Sequence, residues 1–263
     1  MGGSKDSARL FINRRRRDVR INKYISDAGV CSRREADRRI AEGRVFIETD
    51  GITRKADPGT KVGLSDRVFL DGIPVTPKKE RVYLIYNKPK GIVCTRQTSD
   101  PDNIIRAVGY DGYITYAGRL DKDSTGLVLL TDDGELNNTI AKAVNRHEKE
   151  YICEVGRDIN EDFLRRMREG VPVLDTVTRP CIVRKISARK FSIVLTQGLN
   201  RQIRRMCGYL GYSVVSLKRI RIQNLYLGDL PEGEWRFLTS KEITDLRRSC
   251  GMEEKDCREE SYG

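Results

Sequence analysis

Gly118-Arg-Leu-Asp-Lys-Asp-Ser-Thr-Gly-Leu-Val-Leu-Leu-Thr-Asp-Asp-Gly-Glu-Leu136 is the most informative stretch of this 263-residue chain. Its first half is polar and glycine-flanked, as a loop is. Leu127-Val-Leu-Leu130 is a short apolar run of the kind a buried strand shows. Asp132-Asp-Gly134 then reads as a tight turn before a helix near 135–145. A strand that delivers a charged loop at one end and a turn at the other implies a sheet with a polar site at its edge.

Outward from it, two-residue and longer periodicities predict strands at 82–86, 126–131, 151–155 and 191–196, with helices near 160–169 and 200–210. Asn87-Lys-Pro-Lys-Gly91 follows the apolar Leu84-Ile-Tyr86 and reads as a strand running into a turn. His147-Glu-Lys-Glu-Tyr151 opens the next strand, and Leu199-Asn-Arg-Gln-Ile-Arg-Arg-Met206 opens a basic helix. Towards the N-terminus the pattern is shorter. Ile21 and Ile25 share a helical face that Gly29 ends, and Ser32 with Glu35 has the spacing of a capping box. Ala36 and Ile40 continue the apolar face to Gly43, and short strands follow at 44–48 and 67–70. The boundaries expected are a basic arm at 1–18 that includes Arg14 to Arg17, a small module at 19–76, a linker at 77–81, a larger domain at 82–248 and a tail at 249–263.

Lys and Arg number 50 against 38 Asp and Glu, a formal charge of +12, of which +7 lies in residues 1–80. An excess of that size favours a polyanion, because neutralised phosphates release their condensed counterions. Lys23, Arg33, Arg34 and Arg38 are the N-terminal candidates for RNA contact, the last two spaced i, i+4 on one helical face. Seven dispersed cysteines without a CxxC pair read as reduced thiols, and with a single histidine zinc is not expected. No apolar run reaches membrane-spanning length, and the start MGGSKDSARL has no signal-peptide core. A cytoplasmic monomer that uses neither metal nor cofactor, and no membrane, is expected.

The GRLDxDSTGLxLLTxDGEL stretch, with HEKEY and LNRQIRRM after it, resembles the signature of the RsuA/RluF type of ribosomal RNA pseudouridine synthase, closest to the RluF, large-subunit branch. NKYISDAGVCSRREAD and ADPGTKVG resemble an S4 RNA-binding domain, with Phe46-Ile-Glu-Thr-Asp-Gly51 longer than the usual turn there. The resemblance covers roughly residues 19–247. It implies an α+β chain: a small S4 module of αL type, then a mixed, largely antiparallel sheet. It also implies Asp121 as the catalytic carboxylate, Arg204 as its basic partner, and Tyr151 stacking on the base with a hydroxyl placed to assist proton removal from C5. Arg119 either fills the gap left by an extruded nucleotide or holds a phosphate. Lys88, Lys90 and Arg201 are further phosphate candidates, Ile203 a pocket wall, Leu217 a candidate for a second apolar pocket residue, and Asp123 a structural neighbour.

The residues fit that chemistry independently of the name. Moving uracil from N1 to C5 neither oxidises nor hydrolyses, so one carboxylate suffices where a glycoside hydrolase normally needs two. Asp121 either attacks C1′ or removes the 2′ proton. Three rivals stand beside this reading: a non-catalytic RNA-binding assembly factor, an S4-containing methyltransferase and an RNA N-glycosidase. A synthase acting on tRNA is an alternative within the same chemistry.

Overall fold

A computed structural model describes residues 18–76, 78, 80–97, 99–141 and 146–252. The arm with Arg14 to Arg17, most of the tail beyond Ser249 with Cys257, and the end of the helix expected at 135–145 lie outside the described residues. The chain divides into two compact units, residues 1–78 and 79–263.

In the first unit, β1 (Val19–Arg20) leads into α1 (Ile21–Asp27) and α2 (Arg33–Ala41). Strands β2 (Val45–Thr49), β3 (Ile52–Lys55), β4 (Lys61–Val62), β5 (Arg67–Leu70) and β6 (Ile73–Val75) follow. Ile21, Ile25, Ala36 and Ile40 close on Val45, Ile47, Val68 and Leu70, so the helical and strand periodicities meet in one core. β2 and β3 join through Asp50-Gly51, both at positive φ, the two-residue turn whose twist matches a hairpin. The capping box is half realised. Ser32 Oγ accepts from the Glu35 amide at 3.2 Å, but the Glu35 carboxylate turns to Arg38 and Arg39 instead of returning to the cap.

The second unit is built on one mixed sheet. Its strands are β7 (Tyr83–Lys88), β8 (Thr115–Tyr116), β9 (Thr125–Thr131), β10 (Lys149–Val155), β13 (Ile182–Lys185), β14 (Lys190–Leu195), β15 (Val214–Ile222), β16 (Leu225–Tyr226) and β17 (Trp235–Phe237), with a separate hairpin of β11 (Pro172–Val173) and β12 (Thr176–Val177). The order is β13-β14-β10-β15-β9-β7-β17, with β8 on β9 and β16 on β15. The pairings along this order are antiparallel except β15 with β9, which is parallel. Helices α3 (Ile104–Val108), α4 (Gly134–Ala141), α5 (Glu161–Glu169), α6 (Gln202–Tyr209) and α7 (Ser240–Ser249) pack around it.

β9 is covered on both faces, which is why it reads as a continuous apolar run. Leu127 and Leu129 join one core with Ile85, Leu136 and Leu246, while Val128 and Leu130 join another with Leu84, Tyr86 and Ile104. Asp132-Asp-Gly134 is a helix start rather than a free turn. Asp133 Oδ1 accepts from the amides of Glu135 and Leu136 at 3.1 and 3.0 Å, and Oδ2 meets Tyr83 Oη and Arg247 Nη1 at 2.8 and 2.9 Å.

Candidate active site

The loop between β8 and β9 carries Asp121. Its main chain is fastened from beneath by two buried cations. Lys88 ends β7 and is fully buried. Its Nζ donates to the carbonyls of Pro89 and Ile92 at 2.8 Å and to that of Lys122 at 3.4 Å. Arg219 of β15 is 1% exposed and holds both limbs of the loop, donating from Nε to the Leu127 carbonyl at 2.7 Å and from Nη1 to the Arg119 carbonyl at 3.3 Å. Each such hydrogen bond from a charged group contributes about 1.5–3 kcal/mol.

Lys88 therefore does not face a phosphate. Burial depresses its pKa, and its charge is spent on the loop. The segment is a strand running into a turn, as expected, but β7 stays buried to its last position, Lys88, and so the phosphate contact expected of that residue is not available to it. Lys90, two residues on, is exposed.

Above the loop lies a cleft of about 740 Å³ lined by Arg119, Asp121, Tyr151, Arg201, Ile203 and Leu217, among others. Tyr151 and Arg219 are direct neighbours across β10 and β15, and Arg219 in turn faces Gly126 of β9, so one row of the sheet forms the floor. Ile203 and Leu217 are buried apolar walls, and Arg119 stands exposed. The side chain of Asp121 is 34% exposed.

The arginines are arranged differently from the expectation. Arg204, expected to pair with Asp121, donates from Nη2 to the Asp123 carbonyl at 3.1 Å and Ser124 Oγ at 3.4 Å, and meets Asp123 Oδ2 at 3.4 Å. The guanidinium that approaches Asp121 belongs to Arg201, 3.9 Å from Oδ2. Arg201 also clamps Asp123 through two hydrogen bonds of 3.1 Å. The cause is local backbone. Arg201 is the N-cap of α6 and sits at φ 50, ψ 36, a left-handed conformation uncommon for a residue with a Cβ. That turn aims its side chain back at the loop, whereas Arg204 lies one turn deeper. Asp123, read as structural, is thus the hub of the loop. The hydrogen bond from Arg201, with the charges of both arginines, holds its carboxyl below the usual aspartate range. Asp121 is left as the carboxylate that faces the cleft.

His147 is buried, with Nδ1 2.6 Å from Gln223 Nε2, a structural place at the strand start. Of the four N-terminal cations, Lys23 pairs with Asp27, and Arg38 with Glu35 and Glu42 at 2.7 and 3.4 Å. Arg33 and Arg34, at the start of α2, are exposed. The site residues that sequence reasoning missed are Arg219, hidden in an alternating run of basic and apolar residues, and Lys149, which lines the cleft two residues before Tyr151. Among the described residues no cluster of His, Cys, Asp and Glu forms a metal site, and no helix is long and apolar enough to cross a membrane.

The family model for RNA pseudouridylate synthase matches residues 82–209. The dual-specificity RNA pseudouridine synthase RluF of Salmonella typhi is 48% identical over 230 residues, 87% of this chain and 78% of that protein. The ribosomal large subunit pseudouridine synthase B of Bacillus subtilis is 33% identical over 240 residues, 87% of this chain and 95% of that one. A crystal structure of a pseudouridylate synthase, 30% identical, superposes with a TM-score of 0.63 over 87% of this chain and 99% of its own. On this evidence, the chain belongs to the RNA pseudouridine synthase family.

Proposed function

We propose that the chain isomerises a specific uridine of large-subunit ribosomal RNA, with Asp121 as its catalytic carboxylate. The observation that carries this is the contrast between two aspartates two residues apart. Asp123 is tied by Arg201 and Arg204, while Asp121 opens into the cleft opposite Tyr151 with a guanidinium 3.9 Å away. A carboxylate that faces the cleft without being clamped suits attack on C1′ or removal of the 2′ proton.

The other residues take roles that follow from their positions. Tyr151 offers its ring to the flipped base, between the apolar walls of Ile203 and Leu217. Stacking on an aromatic contributes about 1–3 kcal/mol per base, comparable to the few kcal/mol that unstacking costs. Arg119 and Arg201, exposed at the cleft, meet the flanking phosphates. Arg204 acts through Asp123 and Ser124, fixing the loop on which Asp121 stands. The first unit is read as an S4-type module that grips RNA through Arg33 and Arg34, by shape more than base identity.

Large-subunit RNA is supported by the name of the Bacillus subtilis relative, and the dual specificity in the name of the Salmonella one favours a second RNA target, for which tRNA is the alternative. Carbodiimide-primed reverse-transcription mapping of rRNA and tRNA, treated with wild-type protein or Asp121→Asn, tests both. A new stop with wild type alone establishes the reaction, the carboxylate and the target uridine. Full activity of Asp121→Asn refutes the mechanism, and tight binding without any stop favours an assembly factor.

A further inference from the structure

β10 sends two polar side chains into the cleft, Tyr151 and Lys149. Alternate residues of a strand share a face at a spacing of about 7 Å, so Lys149 and Tyr151 line the same side of the cleft. Its surroundings differ from those of Arg119 and Arg201. Lys149 is only partly exposed, and its Nζ donates to the His147 carbonyl at 3.3 Å. Among the described residues it has no carboxylate partner. The acids on either side of it, Glu148 and Glu150, are each held by Arg221 at 2.9 Å. The charged and titratable groups around it are Arg219 from β15, Cys250 from the end of α7, and His147 and Tyr151 along its own chain. Burial, with the Arg219 charge added, brings its pKa down to about 8.

A phosphate ligand needs a permanent, outward-facing charge. An amine that releases its proton near neutrality is suited to accept one. The isomerisation generates one proton that has to be accepted, the hydrogen on C5 once C5 is bonded to C1′. A free amine carries the lone pair that accepts it.

We propose that Lys149 is the general base that removes the C5 proton. The assignment rests on the synthase reading of Asp121. In balance, the N1–C1′ bond breaks with its electron pair on the base, and C5 bonds to C1′. Neutral Nζ then takes the proton from C5, the C–H electron pair restores the C5=C6 double bond, and N1 gains a proton. The resulting ammonium returns its proton to solvent, so nothing is oxidised or reduced.

The test uses the full chain and its mapped RNA, transcribed with protium or deuterium at C5 of uridine, under single turnover. Lys149→Arg keeps the charge but cannot deprotonate. It is expected to bind RNA as wild type does, to lose about 10²–10⁴-fold in rate, and to show a primary isotope effect on pseudouridine formation. A second reading needs no substitution: wild type at about pH 6, where the amine is protonated, slows and acquires the same isotope effect, which fades as the pH rises past about 8. Lys149→Arg with wild-type turnover overturns the proposal. So does a slowed Lys149→Arg without an isotope effect, or wild type without one at about pH 6. If wild type makes no pseudouridine on any RNA, it is the reading of the reaction that falls.

Discussion

Gly126 is the point at which the loop strand and the Arg219 strand touch, and replacing it with alanine tests how tightly they are joined. The residue sits at φ +104, and a Cβ there would lie 2.2 Å from the Arg219 carbonyl oxygen and 2.8 Å from its amide nitrogen. Carbon and oxygen in ordinary contact stay about 3.3 Å apart or more, so β9 and β15 would have to separate by roughly 1 Å. The left-handed conformation alone costs about 1–3 kcal/mol in a residue with a side chain. The separation also weakens the 2.7 Å bond from Arg219 Nε to the Leu127 carbonyl, a charge-assisted contact of about 1.5–3 kcal/mol. Together these give about 3–6 kcal/mol, a large part of the 5–15 kcal/mol of a typical domain. For a unit of this size that is a drop in Tm of roughly 6–24 °C. Thermal and urea unfolding of Gly126→Ala measure it directly, with pseudouridine formation followed in parallel. Gly134→Ala is the control, because nothing lies within 4 Å of its Cβ position at the start of α4, and it should hold or raise stability. A Tm for Gly126→Ala within about a degree of wild type would refute the argument that this close approach fixes the loop.

Two further outcomes are expected. Glu242 caps α7 and accepts two bonds from Arg236, at 2.7 and 2.9 Å, which with the Thr239 contacts hold its pKa down to about 2. A depressed carboxyl stabilises the fold above its unfolded value and stops doing so as the pH falls through the folded one. Glu242→Gln should therefore cost about 1–2 kcal/mol near neutrality, part of the ion pair being screened by solvent, with the difference fading between about pH 4.5 and 2. Urea unfolding across that range measures it, and a pH-independent difference contradicts it. In the first unit, Arg33→Ala with Arg34→Ala should weaken RNA binding and reduce the slope of log K against log salt by about 1.5–2. Arg38→Ala, already neutralised by Glu35 and Glu42, should change the slope less, and equal effects in filter binding would contradict the assignment.

Where a local rule and the tertiary environment agree, the sequence was legible. Ser32 caps α2 as its spacing indicates, and Leu127 to Leu130 form a strand as their apolar run indicates. Where they diverge, the structure differs from what the resemblance implied. The register of α6 depends on Arg201 adopting a left-handed turn, which nothing in Leu199-Asn-Arg-Gln announces. With that turn, Arg201 rather than Arg204 approaches Asp121. Lys88 looks solvated because lysines usually are, yet three carbonyls of a folded loop converge on it from positions that only the tertiary fold brings together. β15 escapes a hydrophobic-period search because its burial alternates imperfectly around a bulge opposite Glu150 and Tyr151, and because its most buried long side chain is an arginine.

The parallel pairing within the main sheet, β15 on β9, also has a consequence for when the site is assembled. It joins Lys218 to Thr125, about 90 positions earlier in the chain, and Arg219 to Gly126 beside it. A contact of that range forms late, after the hairpins on each side have closed their own shorter loops. On the ribosome, β7 and β9 can pair while β15 is still unsynthesised, but until it docks, Arg219 grips neither the Arg119 nor the Leu127 carbonyl. The loop that carries Asp121 is thus fastened only once the chain has emerged through β15.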